Sequence, residues 1–312
     1  MPLDPDVRRL LDGSAAQLAF PAGARHDPDR ATAFLAGLRE KLNAPVVNPS
    51  EPIIAVHDER MDNGRAVRVY TGSAEPDRPV LIYLHGGGWA CGGLEMNDVL
   101  CRRLATRTET VLVSVDYRLA PEHPYPAALI DTVEALGWAR QHARRLGGDP
   151  AWVGIAGTSA GGNLAAAACL LARELGLDAP ALQVLLYPVT DVPTDNGSYV
   201  ANGTGYLLSR EQMEWYWDAY LPDRDRTVPA YAAPCRATDL SGLPPAVVVS
   251  AEYDPLRDEA ENYAAALKQA GVPVTLLRCE GLIHGFLPYL GVVPAADTAL
   301  ERILEAISQR WR

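Results

Sequence analysis

The chain has 312 residues, 48% hydrophobic and 21% charged, with a formal net charge of −11 and a pI near 5.0. That apolar content is ample for a buried core and excludes a disordered polymer, while the acidic balance argues against nucleic acid or anionic lipid as a partner. No run approaches the roughly 18 apolar residues of a membrane helix.

Residues 1 to about 45 read as two short helices. Val7, Leu10, Leu11 and then Phe34, Leu35, Leu38 and Leu42 recur at helical spacing, and Asp27-Pro28 has the form of an N-cap followed by proline at the first helical position. The opening MPLDPDVRRLLDG holds acidic residues and no apolar stretch of signal-peptide length, so the cytoplasm is the expected location. Five scattered cysteines with no C-x-x-C pair agree, reading as reduced and buried. Residues 52–72 read as a hairpin turning at Asp62-Asn63-Gly64.

From there, strand-length apolar runs at 79–85, 110–116, 151–157, 182–188, 246–252 and 274–280 alternate with helical stretches near 95–107, 126–146, 160–175, 255–270 and 295–311. The runs are rich in β-branched residues and do not alternate in polarity, the pattern of strands buried on both faces, so a three-layer α/β sheet is expected. The segment 194–235 breaks the rhythm, carries Tyr199, Tyr206, Trp215, Tyr216, Trp217 and Tyr220, and falls on the side where strand carboxyl ends meet ligands. With residues 1–45 it is expected to form a helical cap on a single domain spanning 1–312. Its aromatics read as subdomain core rather than substrate contacts.

Two glycine-rich strings carry the chemistry. In Gly157-Thr158-Ser159-Ala160-Gly161-Gly162 the glycines permit a tight turn between a strand and an alanine-rich helix, leaving the Ser159 hydroxyl clear of the sheet and the Ala160 N–H at a helix start that favours an anion. In His85-Gly86-Gly87-Gly88-Trp89 the glycines let backbone N–H groups converge on one oxygen, and no following Lys-Ser/Thr makes a P-loop. Any of Gly86, Gly87 and Gly88 fits that role. A serine hydroxyl needs a base in contact and an acid to orient the base. His284 is the histidine in the loop after the last strand, whereas His85 reads as a scaffold for the glycine loop. Asp254 leads as the acid, in the loop after the penultimate strand, with Glu252 at the strand end as the alternative. Asp258 and Glu259 read as decoration of a first helical turn. The order Ser159, Asp254, His284 is that of α/β hydrolases. Trp89, beside the glycine loop, and Tyr187, at a strand carboxyl end, are the expected substrate contacts.

HGGGW at 85–89, VDYRLAPEHPYPAAL at 115–129, GTSAGGN at 157–163, DPLRDE at 254–259 and HGF at 284–286 together resemble the hormone-sensitive lipase family of esterases, bacterial lipolytic family IV. Thr158 before the serine resembles the GTSAGG subgroup, and PLDPDVRRLLD resembles the opening of the family's cap helix. The resemblance implies an α/β-hydrolase fold, with a mostly parallel, eight-stranded twisted sheet flanked by helices and topped by a helical cap. It implies a serine carboxylesterase acting on short to medium acyl esters through an acyl-enzyme, with Ser159 as nucleophile, His284 as base, Asp254 as acid, and Gly87, Gly88 and Ala160 as oxyanion donors. No metal or other cofactor is implied; a homodimer through the last strand and helix is. Asp116, Tyr117, Arg118 and Glu122 resemble the family's polar scaffold under the loop, and Glu95-Met96-Asn97-Asp98 stands where Thr-His-Asp is common, at the acyl pocket wall. The same triad would also serve an amide, lactone or carbamate hydrolase. A non-catalytic ligand receptor on this fold is the reading that retention of Ser159, Asp254 and His284 disfavours.

Overall fold

Side-chain caps and proline-led starts set the two N-terminal helices. Asp4 accepts from the N–H groups of Asp6 and Val7 ahead of α1 (Pro5–Asp12), and Asp27 accepts from Arg30 ahead of α2 (Pro28–Leu42). Each carboxylate satisfies donors that the helix leaves unpaired and lies in the favourable field of its dipole. The computed structural model describes residues 1–13, 18–44 and 51–311.

The expected hairpin is β1 (Ala55–Arg60) with β2 (Ala66–Thr71), paired so that Arg60 faces Ala66 across the turn. The six apolar runs become β3 (Arg78–Leu84), β4 (Val111–Val115), β5 (Gly148–Thr158), β6 (Gln183–Leu186), β7 (Ala246–Tyr253) and β8 (Val274–Ile283). Among the described residues they form one eight-stranded sheet in the order β1-β2-β4-β3-β5-β6-β7-β8, antiparallel at β1–β2 and β2–β4 and parallel elsewhere.

Between and after the strands run α3 (Asp98–Thr108), α4 (Ala127–His142), α5 (Ala160–Glu174), α6 (Gly197–Asn202), α7 (Arg210–Tyr220), α8 (Arg257–Gln269) and α9 (Pro294–Arg310). Val80, Ile82 and Leu84 of β3 join the core under α4, α5 and α8, while Leu81 and Tyr83 join the opposite core under α3 and α9. Successive residues of a strand point to opposite faces. Both faces of β3 are therefore buried, which is why its sequence shows no alternation.

The insertion and the N-terminal segment are tied to each other. The Arg25 side chain pairs with Glu214 and with Asp218 (2.9 Å), both on α7, and the Phe20 ring lies 5.8 Å from that of Trp215. Arg39 of α2 holds Glu122 (2.7 and 2.8 Å) and the carbonyls of Ala90 and Ala120. The expected polar scaffold thus resolves into separate ties: Tyr117 donates to the His85 carbonyl, Arg118 pairs with Asp131 of α4, and Glu122 serves Arg39. The cysteines are free; Cys91, Cys101, Cys169 and Cys279 are buried as expected, but Cys235 is only half-buried, in the short 3-10 turn Pro234–Arg236.

Helix α5 backs onto the sheet with little room for side chains. A Cβ placed on Gly161 would stand 2.1 Å from the Leu84 carbonyl oxygen, whereas one on the exposed Gly137 in α4 would meet nothing within 4 Å. Gly161→Ala should therefore destabilise the protein by about 3 kcal/mol. Gly137→Ala should stabilise it by about 0.5–1 kcal/mol through helix propensity. Urea denaturation of the two variants beside wild type checks both signs.

Candidate active site

The strand β5 ends at Thr158 and α5 begins at Ala160, so Ser159 alone makes the turn, with φ 53° and ψ −118°. A non-glycine residue in that region costs on the order of 1–3 kcal/mol and persists only where its surroundings over-determine it. Here the Ser159 N–H donates to Leu186 O (2.9 Å), while its carbonyl accepts from Asn163 N (3.0 Å) and Val189 N (3.2 Å). The flanking glycines are places of backbone contact, since a Cβ on Gly157 would lie 2.2 Å from the Gly161 oxygen.

Two loops at the same edge of the sheet complete the arrangement. His284 follows β8 and Asp254 follows β7; His284 Nε2 lies 3.0 Å from Ser159 Oγ, and His284 Nδ1 lies 2.7 Å from Asp254 Oδ2. The carboxylate accepts, so Nδ1 donates to it and Nε2 is left facing the hydroxyl as an acceptor. Asp254 is fully buried, and its Oδ1 accepts from Leu256 N (2.7 Å). Glu252, the alternative acid, does not reach His284: its oxygens take Gly281 N (2.7 Å) and the amino group of Met1 (2.6 Å).

Other parts of this site were not visible in the sequence. The side chain of Asn202, on α6, donates to the carbonyls of Glu252 and Asp254, and Ser198 donates to the Pro255 carbonyl (2.6 Å), so the insertion braces the acid loop. Glu259 is not the surface decoration expected of a first helical turn. It is 3% exposed and accepts from Thr190 N (2.7 Å) and Asp191 N, and burial holds its carboxyl well above the usual range. A carboxylate at a helix start is ordinary in sequence, and only the tertiary placement of α8 against the loop after β6 turns Glu259 inward.

The glycine loop lies against the serine. Gly87 and Gly88 have φ 104° and 58°, and a Cβ on Gly88 would stand 2.2 Å from the Tyr216 ring. His85 is the expected scaffold: fully buried, Nδ1 donating to Gly86 O (2.7 Å), its ring stacked on Tyr117 at 4.1 Å. Burial lowers it from 6.5 to about 4, so it is neutral near pH 7. Trp89 does not reach the substrate space. It is fully buried, stacked on Tyr220 at 4.2 Å and beside Trp217 at 4.7 Å, so it joins the loop to the insertion.

A mainly apolar cavity of about 160 Å³ opens on Ser159, His284 and Gly86–Gly88. Tyr187 lines it, edge-on to the His284 ring at 5.0 Å. Leu38 and Leu42 of α2 and Met213 and Tyr216 of α7 supply wall from the two segments expected to form a cap, and Met96 and Asn97 line the cavity as well.

A mostly parallel α/β sheet that presents a serine on a strand-to-helix elbow, with histidine and aspartate on the loops after its last two strands, defines a hydrolase of the α/β class. Residues 81–288 match the family described as alpha/beta hydrolase fold. The chain is 43% identical over 248 residues to carboxylesterase NlhH of Mycobacterium tuberculosis, covering 78% of this chain and 77% of that protein. It is 36% identical over 312 residues to esterase LipI of the same species, covering 98% and 94%. The hyperthermophilic esterase of the archaeon Pyrobaculum calidifontis superposes with a TM-score of 0.85 at 38% identity, covering 99% of each chain. The chain belongs to the alpha/beta hydrolase family, among the carboxylesterases of hormone-sensitive lipase type.

His85 gives the site a defined acid limit. Its folded value lies below its ordinary one, so as pH falls the unfolded chain takes up the proton first, and stability that is complete above about 6.5 is lost as pH falls towards 4. Urea stability measured in steps across that window should fall more steeply for wild type than for His85→Gln, which has no ring to titrate.

Proposed function

We propose that this carboxylesterase cleaves esters of short to medium acyl chains through an acyl-enzyme, with Ser159 as nucleophile, His284 as general base and then acid, and Asp254 as its orienting carboxylate. The observation that carries the reading is the unbroken contact Ser159 Oγ–His284–Asp254 at 3.0 and 2.7 Å, set at the mouth of an apolar cavity. Ser159 Oγ attacks the ester carbonyl carbon as its proton passes to His284 Nε2. The carbonyl π pair moves onto oxygen, where the N–H groups of Gly87, Gly88 and Ala160 receive the charge; each such donor lowers the barrier by roughly 3–4 kcal/mol. Collapse expels the alcohol with the proton from Nε2, and water, deprotonated by the same nitrogen, then releases the acid.

A cavity of about 160 Å³ is well under the roughly 300–1,000 Å³ of pockets for larger ligands, which supports the short to medium range. The Thr158 hydroxyl meets Tyr83 OH at 3.1 Å behind the cavity wall, a neutral hydroxyl pair that avoids a buried charge, and this supports the GTSAGG subgroup. Residues 1–45 and 194–235 act as the cap, their described parts supplying Leu38, Leu42, Met213 and Tyr216 to the wall. Tyr187 is the substrate contact, and Trp89 acts at one remove by holding the loop. Free thiols support a reducing cytoplasm, and among the described residues no helix is long and apolar enough to cross a membrane. Strand β8 ends the sheet with α9 beside it, an edge through which two copies would pair as a homodimer; elution as a monomer in size-exclusion chromatography would refute this.

On p-nitrophenyl butyrate, Ser159→Ala should lower kcat about a millionfold and Asp254→Asn about ten-thousandfold. Glu252→Gln, which leaves the triad whole, should change kcat only a few-fold, and a fluorophosphonate should label Ser159 alone. In a series from acetyl to dodecanoyl esters, turnover should peak at the short end; removing residues 1–40, which takes Leu38 from the wall, should flatten that preference.

A further inference from the structure

The cavity wall holds a buried, unpaired amide that the proposed mechanism leaves without work. Asn97 is 5% exposed and lines the cavity, and its amide nitrogen has no hydrogen-bond partner. Among the described residues, the other buried side-chain atoms left unpaired all belong to residues outside this wall. The remaining amide in the wall is spent, since Gln212 donates to Tyr216 OH (3.0 Å), and Thr158 is paired with Tyr83.

A second observation concerns the same side chain. Asn97 is the N-cap residue of α3, its carbonyl accepting from Cys101 N (2.8 Å), yet its side chain caps nothing. Asparagine ranks among the best N-caps because its side-chain oxygen satisfies an orphan helix donor. Here the amide forgoes that bond and stands in the cavity wall instead. Its neighbours are immobilised: Asp98 is 3% exposed and takes Tyr70 OH (2.9 Å) and Arg102 Nε (2.6 Å), and Glu95 takes Arg68 (2.8 Å). The backbone that carries Asn97 is therefore fixed before any ligand arrives, which limits the ordering that one hydrogen bond to its side chain must offset.

The amide nitrogen is already closed to water and unpaired, so an alkyl chain in this cavity leaves it so, whereas an oxygen on the chain that drew the amide round would satisfy it. The terminal torsion of asparagine is broad and two-fold, so the group offers its N–H to an ether or carbonyl oxygen and its C=O to a hydroxyl. We infer that the physiological substrates are esters bearing a second oxygen function, an ether, hydroxyl or carbonyl, on the acyl chain or the alcohol, with Asn97 as its partner. This rests on Ser159 being the ester-cleaving residue.

The test compares kcat/KM for isosteric pairs, each divided by its rate of hydroxide-catalysed hydrolysis. The acyl arm sets p-nitrophenyl methoxyacetate against the butyrate, the alcohol arm sets methoxyethyl butyrate against butyl butyrate, and both are repeated with the oxygen, as ether and as hydroxyl, stepped along longer chains. At the matching position wild type should prefer the oxygenated ester about tenfold or more, and the arm in which this occurs tells acyl from alcohol recognition. Asn97→Leu should abolish the preference, and Asn97→Asp, which keeps the shape but only accepts, should retain it for hydroxyl esters alone. A wild-type ratio near one at every position in both arms overturns the inference whatever the variants do, and so does a preference that survives Asn97→Leu. Failure of the underlying reading shows elsewhere, as turnover of plain butyrate that persists in Ser159→Ala.

Discussion

The geometry of this site depends on how closely α5 is allowed to approach the sheet. Gly157 and Gly161 meet backbone to backbone, and the run Ala165–Ala168 behind them is wholly buried, so the helix axis lies nearer the strands than bulkier residues would permit. That approach puts Ser159 in a backbone region costing about 1–3 kcal/mol. One fully buried leucine returns about the same amount, and α5 buries Leu164 and Leu170 as well as its alanines. The strain is thus small beside the packing that imposes it, and it holds the serine hydroxyl where the loops after β7 and β8 arrive.

What arrives there must be polar and yet buried, and each polar group is matched. Asp254 is sealed from solvent with one oxygen on His284 and the other on a backbone N–H. Its loop is held from outside by Asn202 and Ser198, residues of a short helix whose composition gives no hint of such a role. The choice between the two carboxylates was a matter of direction. Glu252 is still within β7, where successive side chains alternate across the sheet, and it turns to Gly281 of the neighbouring strand; Asp254 lies past the strand end and is free of that constraint.

The strands and the order of the triad were legible because each rests on a local rule: doubly buried strands lack alternation, and a glycine-flanked serine between strand and helix has few other uses. Trp89 was not legible. An indole beside a glycine loop can face the substrate or the insertion with the same local sequence, and only the arrival of Trp217 and Tyr220 from more than a hundred residues away decides it. The half-buried Cys235 and the inward Glu259 have the same origin, since local composition carries polarity but not the orientation that tertiary contacts impose. The start of α3 shows the limit on boundaries. Helical periodicity suggests residue 95, yet the helix begins at Asp98, because residues 95–97 form the turn that carries Met96 and Asn97 to the cavity.

Helix α7 joins these separate elements mechanically. Met213, Tyr216, Trp217 and Tyr220 recur at helical spacing and share its buried face, so one rigid element supplies both cavity wall and the aromatic socket for Trp89. Tyr216 lies over Gly88 with no room for a single added carbon, which makes the shape of the glycine loop and the shape of the pocket the same contact. Arg25 fastens α7 to the N-terminal segment through Glu214 and Asp218, and Arg39 fastens α2 to the chain on the far side of the loop. A substrate chain that pushes against Tyr216 therefore pushes on the backbone that would receive the oxyanion. Fit in the pocket and stabilisation of the charge would then be coupled through that one ring, which is how a wall residue distant from the serine would alter turnover as well as binding.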